Sequence, residues 1–283
     1  MATYTHDTAP TRHVEAANGV SYGYRRFGVE QGTPVLFFQH FIGNLDDFDP
    51  AVTDGLASDR EVILYNYAGV GSSTGQTAET IEQTARDAAA FIEALGLTSV
   101  DLLAHSMGGL AAQQLAFDRP DLVRKIILVG TQPRGGDGLD DLPEETIALF
   151  SKKYERQEEM WLPILFAPSE TSQAAGRAFL KRIMTRKDRD TPVKPEVAAA
   201  QSAALTAYAA QKDPGYAHLK NLEKPVLVVN GNNDTIVPTK YSYIIQQHAP
   251  NATLILYPDS NHAAHFQYHK EFVAHARLFL DAA

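Results

Sequence analysis

Ser106 stands in the run Ala104-His105-Ser106-Met107-Gly108-Gly109, between the apolar stretch 100–103 and the helix-like stretch 110–116. A hydroxyl carried on a tight strand-to-helix turn is lifted clear of a sheet, where a carbonyl carbon can reach it. The positions two before and two after the serine must be small, because the turn presses them against neighbouring backbone. Here they are Ala104 and Gly108, so the pattern is A-x-S-x-G, one methyl away from the nucleophile motif G-x-S-x-G. The turn forces the serine into strained backbone, a condition that clusters at working sites.

A serine hydroxyl attacks poorly unless a base takes its proton, and the base must be held in one tautomer by an acceptor. His262 follows the apolar run 254–256 and precedes the final helix, which places it on a loop; it is the candidate base. His265, three residues on, is the rival, expected to begin the helix. Asp234 lies in the polar turn 230–238 directly after the run 226–229. Alone it would suit an Asx turn; with a serine and a histidine in place it becomes the candidate acid. Negative charge developing on a carbonyl oxygen also needs backbone N–H donors. One is expected from Met107, the residue after the serine. The other is expected from the loop 39–44, with Phe41 chosen and Ile42 as the rival.

Other residues invite chemistry less strongly. His105 reads as a histidine packed at the turn that could also touch substrate. Trp161 and Phe166 belong to an apolar group at 160–166, which either binds an acyl or aryl portion or packs one layer on another. His262, His265 and His269 lack a carboxylate at zincin spacing, so no metal is expected. The glycine-rich run 69–75 has Thr74 where a dinucleotide fingerprint needs glycine, and it lacks Gly-Lys-Ser/Thr; it reads as a tight turn.

The elements that must position these groups follow from hydrophobic period. Residues 14–17 and 20–27, parted by Asn18-Gly19, read as a hairpin. The apolar runs at 35–38, 62–65, 100–103, 126–129, 226–229 and 254–256 suit parallel strands buried on both faces. Amphipathic stretches alternate with them, notably 81–95, and a last helix spans about 271–282. This is an α/β chain with a doubly wound, mostly parallel sheet. Residues 132–222 break the rhythm: helical patterns at 144–154, 172–184 and 195–210, and no convincing strand. The expected division is a core of 1–131 and 223–283 with a helical lid insertion at 132–222. That lid should cover the strand ends where such sheets place ligands, entered through a hinge at 133–138.

Composition narrows the class. The 283 residues carry a net charge of −9 and no cysteine, which excludes disulfides and thiolate chemistry. There is no basic stripe to suggest nucleic acid or anionic membrane, no apolar leader, and no run of about 18 apolar residues to span a bilayer. The expected partner is a small-molecule substrate, the expected location cytoplasmic. Oligomeric state is not legible.

Taken together, the His40-Phe41 loop, Gly69-x-Gly71-x-Ser73, Ala104-x-Ser106-x-Gly108, Gly231-x-x-Asp234-x-x-Val237-Pro238 and Asn261-His262 resemble the α/β-hydrolase superfamily, in its lidded esterase-like branch, over nearly the whole chain. The resemblance implies the order Ser, acid, His, an acyl-enzyme on Ser106, water activated by His262, and no cofactor. Three positions depart from the family pattern: Phe41 where many members have glycine, Asn66 where many have aspartate, and Asn261 where glycine is usual. Asparagine is expected to serve at 261 because it tolerates positive φ. The implied activity is hydrolysis of a small to medium carboxylic ester or lactone. Perhydrolysis of the cofactor-free haloperoxidase type and C–C bond hydrolysis are the alternatives on the same fold; a non-catalytic ligand receptor is a more distant one.

Overall fold

The computed structural model describes residues 4–136 and 144–282. The hairpin forms as β1 (Arg12–Glu15) and β2 (Ser21–Gly28), paired antiparallel. The buried apolar runs become β3 (Val35–Phe38), β4 (Glu61–Tyr65), β5 (Val100–His105), β6 (Val123–Val129), β7 (Val226–Gly231) and β8 (Ala252–Tyr257). They join in one 8-stranded sheet of order β1-β2-β4-β3-β5-β6-β7-β8. β2 meets β4 antiparallel, and every pairing from β4 to β8 is parallel.

Parallel strands need crossovers, and helices supply them on both faces. The helices of the first half are α1 (Pro50–Ala57), α2 (Ile81–Ala94) and α3 (Met107–Asp118). Between β6 and β7 come α4 (Glu144–Ser151), α5 (Gln157–Leu165), α6 (Glu170–Ile183) and α7 (Pro195–Ala209). The chain closes with α8 (Lys240–His248), the single turn α9 (Ala264–Gln267) and α10 (His269–Asp281). Alternating residues of β3 show the two layers directly. Leu36 and Phe38 enter a core with α2, α3 and α8, whereas Val35 and Phe37 enter one with α1, α5, α6 and α10.

Two expectations about elements need correction. Run 254–256 was expected to be buried on both faces, but β8 is an edge strand and Leu256 is 43% exposed. Its residues cover one side of β7 only. The helix α5 falls where no helix was expected, because Pro163 interrupts the pattern; the ring is accommodated inside the helix, and burial of Trp161, Ile164 and Leu165 outweighs the lost hydrogen bond. No strand occurs among the described residues of 132–222. The expected hinge at 133–138 is described only as far as Gly136, where Gly135 has φ 77°; residues 137–138 lie outside the described residues.

Candidate active site

The turn between β5 and α3 puts Ser106 at φ 55°, ψ −122°, a region that a side chain with a Cβ enters only under constraint. Its backbone N–H is held by the Val129 carbonyl on β6 at 2.9 Å. Gly108 is required by close approach: a Cβ there would lie 2.7 and 2.8 Å from the carbonyl oxygens of Phe38 and Gln39. Met107 is the first residue of α3, so its N–H has no intrahelical acceptor and is available to an anion.

Asp234 and His262 arrive from the loops after β7 and β8, and their side chains meet: Nδ1 of His262 lies 2.8 Å from Oδ2 of Asp234. Both residues are buried. The other carboxylate oxygen, Oδ1, accepts the backbone N–H groups of Ile236 and Val237, each at 2.9 Å. With all three bonds directed at the carboxylate, Nδ1 must carry the imidazole proton, which leaves Nε2 as an acceptor. His262 and Ser106 line the same pocket. Gly130, at the end of β6 with φ 53°, makes room for His262: a Cβ there would stand 3.0–3.2 Å from the His262 carbonyl and ring.

Asn261 does not serve as a stand-in for a left-handed glycine, contrary to expectation; Asp259, with φ 45°, takes that conformation. Asn261 instead works through its amide. Its Oδ1 accepts from the Thr235 N–H at 2.8 Å, and its Nδ2 donates to the Thr235 hydroxyl at 3.2 Å and to the Ile164 carbonyl at 3.4 Å. It thereby ties the loop of the aspartate to the loop of the histidine and to α5.

His105 packs against both His262 and His265. His105 Nε2 is 3.1 Å from the His262 carbonyl, so it donates there. Its ring is enclosed by His40, His262, His265 and Phe266. His265 sits in α9 against Phe272. Burial keeps both imidazoles neutral, with pKa values well below the usual histidine range. His40 is likewise buried, and its pKa falls to about 4. His105, expected as a substrate contact, is 2% exposed and is not among the residues that line the pocket of Ser106. His269 bonds the Phe266 carbonyl at 3.3 Å; among the described residues, no three acidic or imidazole groups are arranged to hold a metal ion.

The remaining walls of the pocket are His40, Phe41, Phe150, Trp161, Ile164, Leu165 and Ile236. Trp161 is among them as expected. Phe166 is not: it is 1% exposed and packs beside Phe179 with ring centroids 5.6 Å apart. Facing opposite ways along α5 and its C-terminal end, the two aromatics divide between pocket and core. The Trp161 Nε1 donates to Oδ1 of Asp47 at 3.0 Å. Burial pushes the Asp47 carboxyl up to about 6, against the pull of the Asn44 N–H and the Trp161 N–H.

The loop after β3 carries the second expected oxyanion donor. Gln39 braces it, its Oε1 accepting the His40 N–H at 2.8 Å and its Nε2 donating to the Asn44 carbonyl at 2.9 Å. His40 Nδ1 donates to the Phe41 carbonyl at 2.9 Å. Of the two rivals, Ile42 has its N–H engaged by Oε1 of Gln201 on α7, at 2.7 Å. No hydrogen bond within the described residues engages the Phe41 N–H, and Phe41 lines the pocket. Sequence reasoning missed Gln201, as nothing in α7 marks one glutamine 159 residues away from its partner. The glycine-rich run 69–75 is a closed turn, with the Gly69 N–H on the Thr74 carbonyl at 2.9 Å.

Comparison with known proteins places the fold. The alpha/beta hydrolase fold family model matches residues 33–267. An alpha/beta hydrolase fold protein from Chitinophaga pinensis superposes with a TM-score of 0.92 and 37% identity, covering 99% of this chain and 100% of that one. A pimeloyl-[acyl-carrier protein] methyl ester esterase from Nitrosomonas europaea is 30% identical over 60% of this chain and 66% of its own length, so the match spans just under two thirds of that relative. A 2-hydroxy-6-oxononadienedioate/2-hydroxy-6-oxononatrienedioate hydrolase from Burkholderia vietnamiensis is 27% identical over 75% of this chain and 73% of its own. No helix among the described residues is long and apolar enough to cross a membrane. The chain belongs to the alpha/beta hydrolase fold family.

Proposed function

We propose that the protein hydrolyses small to medium carboxylic esters or lactones through an acyl-enzyme on Ser106. The observation that carries the reading is the His262–Asp234 bond of 2.8 Å, made by a histidine that shares a pocket with a serine on a strained turn. In this reading Nε2 of His262 takes the Ser106 proton as Oγ attacks the ester carbonyl. The N–H groups of Phe41 and Met107 receive the negative charge on the carbonyl oxygen, each contributing on the order of 10²–10³ in rate. His262 then protonates the departing alkoxide, and the acyl-enzyme is released by a water that the same imidazole deprotonates.

The helices of 132–222 act as the lid. Trp161, Ile164 and Leu165 face the reacting groups and suit an apolar acyl or alcohol portion. The name of the Nitrosomonas europaea relative supports an ester as substrate class. A second reading, hydrolysis of a C–C bond in an enol-diketone type of substrate, is favoured by the Burkholderia vietnamiensis relative's name. The same serine and base serve it.

A panel of p-nitrophenyl esters of increasing chain length, with simple lactones and a vinylogous diketone substrate, separates the two. Turnover of esters lost in Ser106→Ala supports the first reading. Turnover of the diketone at a higher kcat/KM than any ester would establish the second instead.

A further inference from the structure

Ile42 adopts φ 52°. A β-branched residue with left-handed backbone is a genuine outlier, and it persists only where its surroundings hold it there. The peptide plane between Phe41 and Ile42 is gripped at both ends. Its carbonyl oxygen receives Nδ1–H of His40 at 2.9 Å, and its N–H donates to Oε1 of Gln201 at 2.7 Å. The first grip comes from the loop itself; the second comes from α7, an element inserted between β6 and β7. Gln201 is 2% exposed, and its Nε2 has no partner among the described residues. The side chain is therefore buried at the cost of one unsatisfied donor while its oxygen makes this bond. Gln201 also borders a small cavity that Met107 lines.

We propose that Gln201 is a positioning residue for the oxyanion pocket: its side-chain oxygen holds Ile42 in the left-handed conformation and so anchors the loop directly after the residue that carries the Phe41 N–H. The inference rests on the acyl-enzyme reading above. Release of the Ile42 N–H frees the 41–42 peptide to flip, which changes ψ of Phe41 and φ of Ile42 together and relaxes the strained residue. The donor at 41, on the preceding peptide, then loses the anchor of the residue that follows it. Because Gln201 rides on α7, the pocket is complete only while that helix is docked on the loop. Other contacts of the same loop keep the docking in register: Asn44 Nδ2 reaches the Thr191 carbonyl at 3.1 Å, and Trp161 reaches Asp47.

The test uses the full chain with p-nitrophenyl butyrate as substrate and n-butylboronic acid as a tetrahedral adduct former on Ser106. Gln201→Met removes the acceptor at nearly constant volume; Gln201→Asn keeps an amide but falls one methylene short, and serves if the Met variant does not fold. Either is expected to lower kcat about 10- to 100-fold, less than deleting a donor outright, with KM within about threefold. Boronate affinity should fall by a similar factor, and the acid limb of the kcat profile should stay in place, since the base is untouched. The double variant Ile42→Gly/Gln201→Met should regain a large part of the loss, because glycine adopts positive φ without strain. Wild-type kcat and boronate affinity in the Gln201 variants, or a loss that Ile42→Gly does not relieve, would overturn the inference while leaving the hydrolytic reading intact. A wild-type enzyme with neither ester turnover nor a boronate adduct on Ser106 would overturn both.

Discussion

Nδ1 of His262 and Oδ2 of Asp234 lie 2.8 Å apart with both side chains buried, and the two residues come from loops that follow adjacent strands. The bond fixes which imidazole nitrogen holds the proton and points the other at the pocket that Ser106 lines. His262→Ala should therefore lower kcat by several orders of magnitude. His265→Ala should leave most activity, since that ring is buried against Phe266 and Phe272 and does not line the pocket. Steady-state kinetics of the two variants on one ester decides the matter; the reverse ranking would name the wrong base.

Acid should unfold the protein through its buried imidazoles. Burial holds His6 at about 3 and His40 at about 4, and holds His105 and His265 well below the ordinary range. Each has a folded pKa below its unfolded value of about 6.5, so the unfolded chain binds more protons as pH falls. Their contribution is complete above pH 6.5 and is lost on acidification, for His40 down to about 4 and for His6 down to about 3. Each proton bound preferentially by the unfolded state costs about 1.4 kcal/mol per pH unit. Asp47, Asp54, Asp87 and Asp101 oppose this in part, because burial raises their pKa values and so favours the folded state toward acid. Thermal melting across pH 4–8 should show Tm falling steeply below 6.5; a flat curve would contradict the burial of these rings.

Much of the site was readable because its chemistry demands rare local patterns. Ser106 is framed by Ala104 and Gly108, and Gly108 is where a Cβ would strike two carbonyl oxygens. Asp234 and His262 each follow an apolar run that becomes a strand. What escaped was set by contacts between distant segments. Gln201 and Asn261 act through amides whose partners lie on other elements, and an isolated amide in a sequence carries no direction. Phe166 and Trp161 look alike in an apolar run, but helix geometry sends one to the core and the other to the pocket. The burial of β8 was overestimated because a run of leucine and isoleucine does not say whether it lies at a sheet edge.

Trp161 joins the pocket wall to a buried carboxylate, and removing only its donor should be felt in a pH-dependent way. Trp161→Phe keeps an aromatic ring in the pocket but deprives Oδ1 of Asp47 of its partner at 3.0 Å. Loss of a hydrogen bond to a buried charged group costs about 1–3 kcal/mol. The carboxyl is ionised above about 6 and neutral below, so the variant should lose more stability at pH 8 than at pH 5. Melting of wild type and variant at both values measures this. An equal loss at the two would show that the indole N–H does not serve the carboxylate.

The central claim is covalent, and a covalent intermediate can be weighed. Mixing the enzyme with excess p-nitrophenyl acetate and quenching in acid within milliseconds should give a burst of p-nitrophenolate stoichiometric with active sites, and intact-mass analysis should show one added acetyl group. Peptide mapping should place it on Ser106, and Ser106→Ala should show neither burst nor adduct. Ester turnover with no acyl adduct under any quench time, or an adduct that survives in Ser106→Ala, would contradict the account.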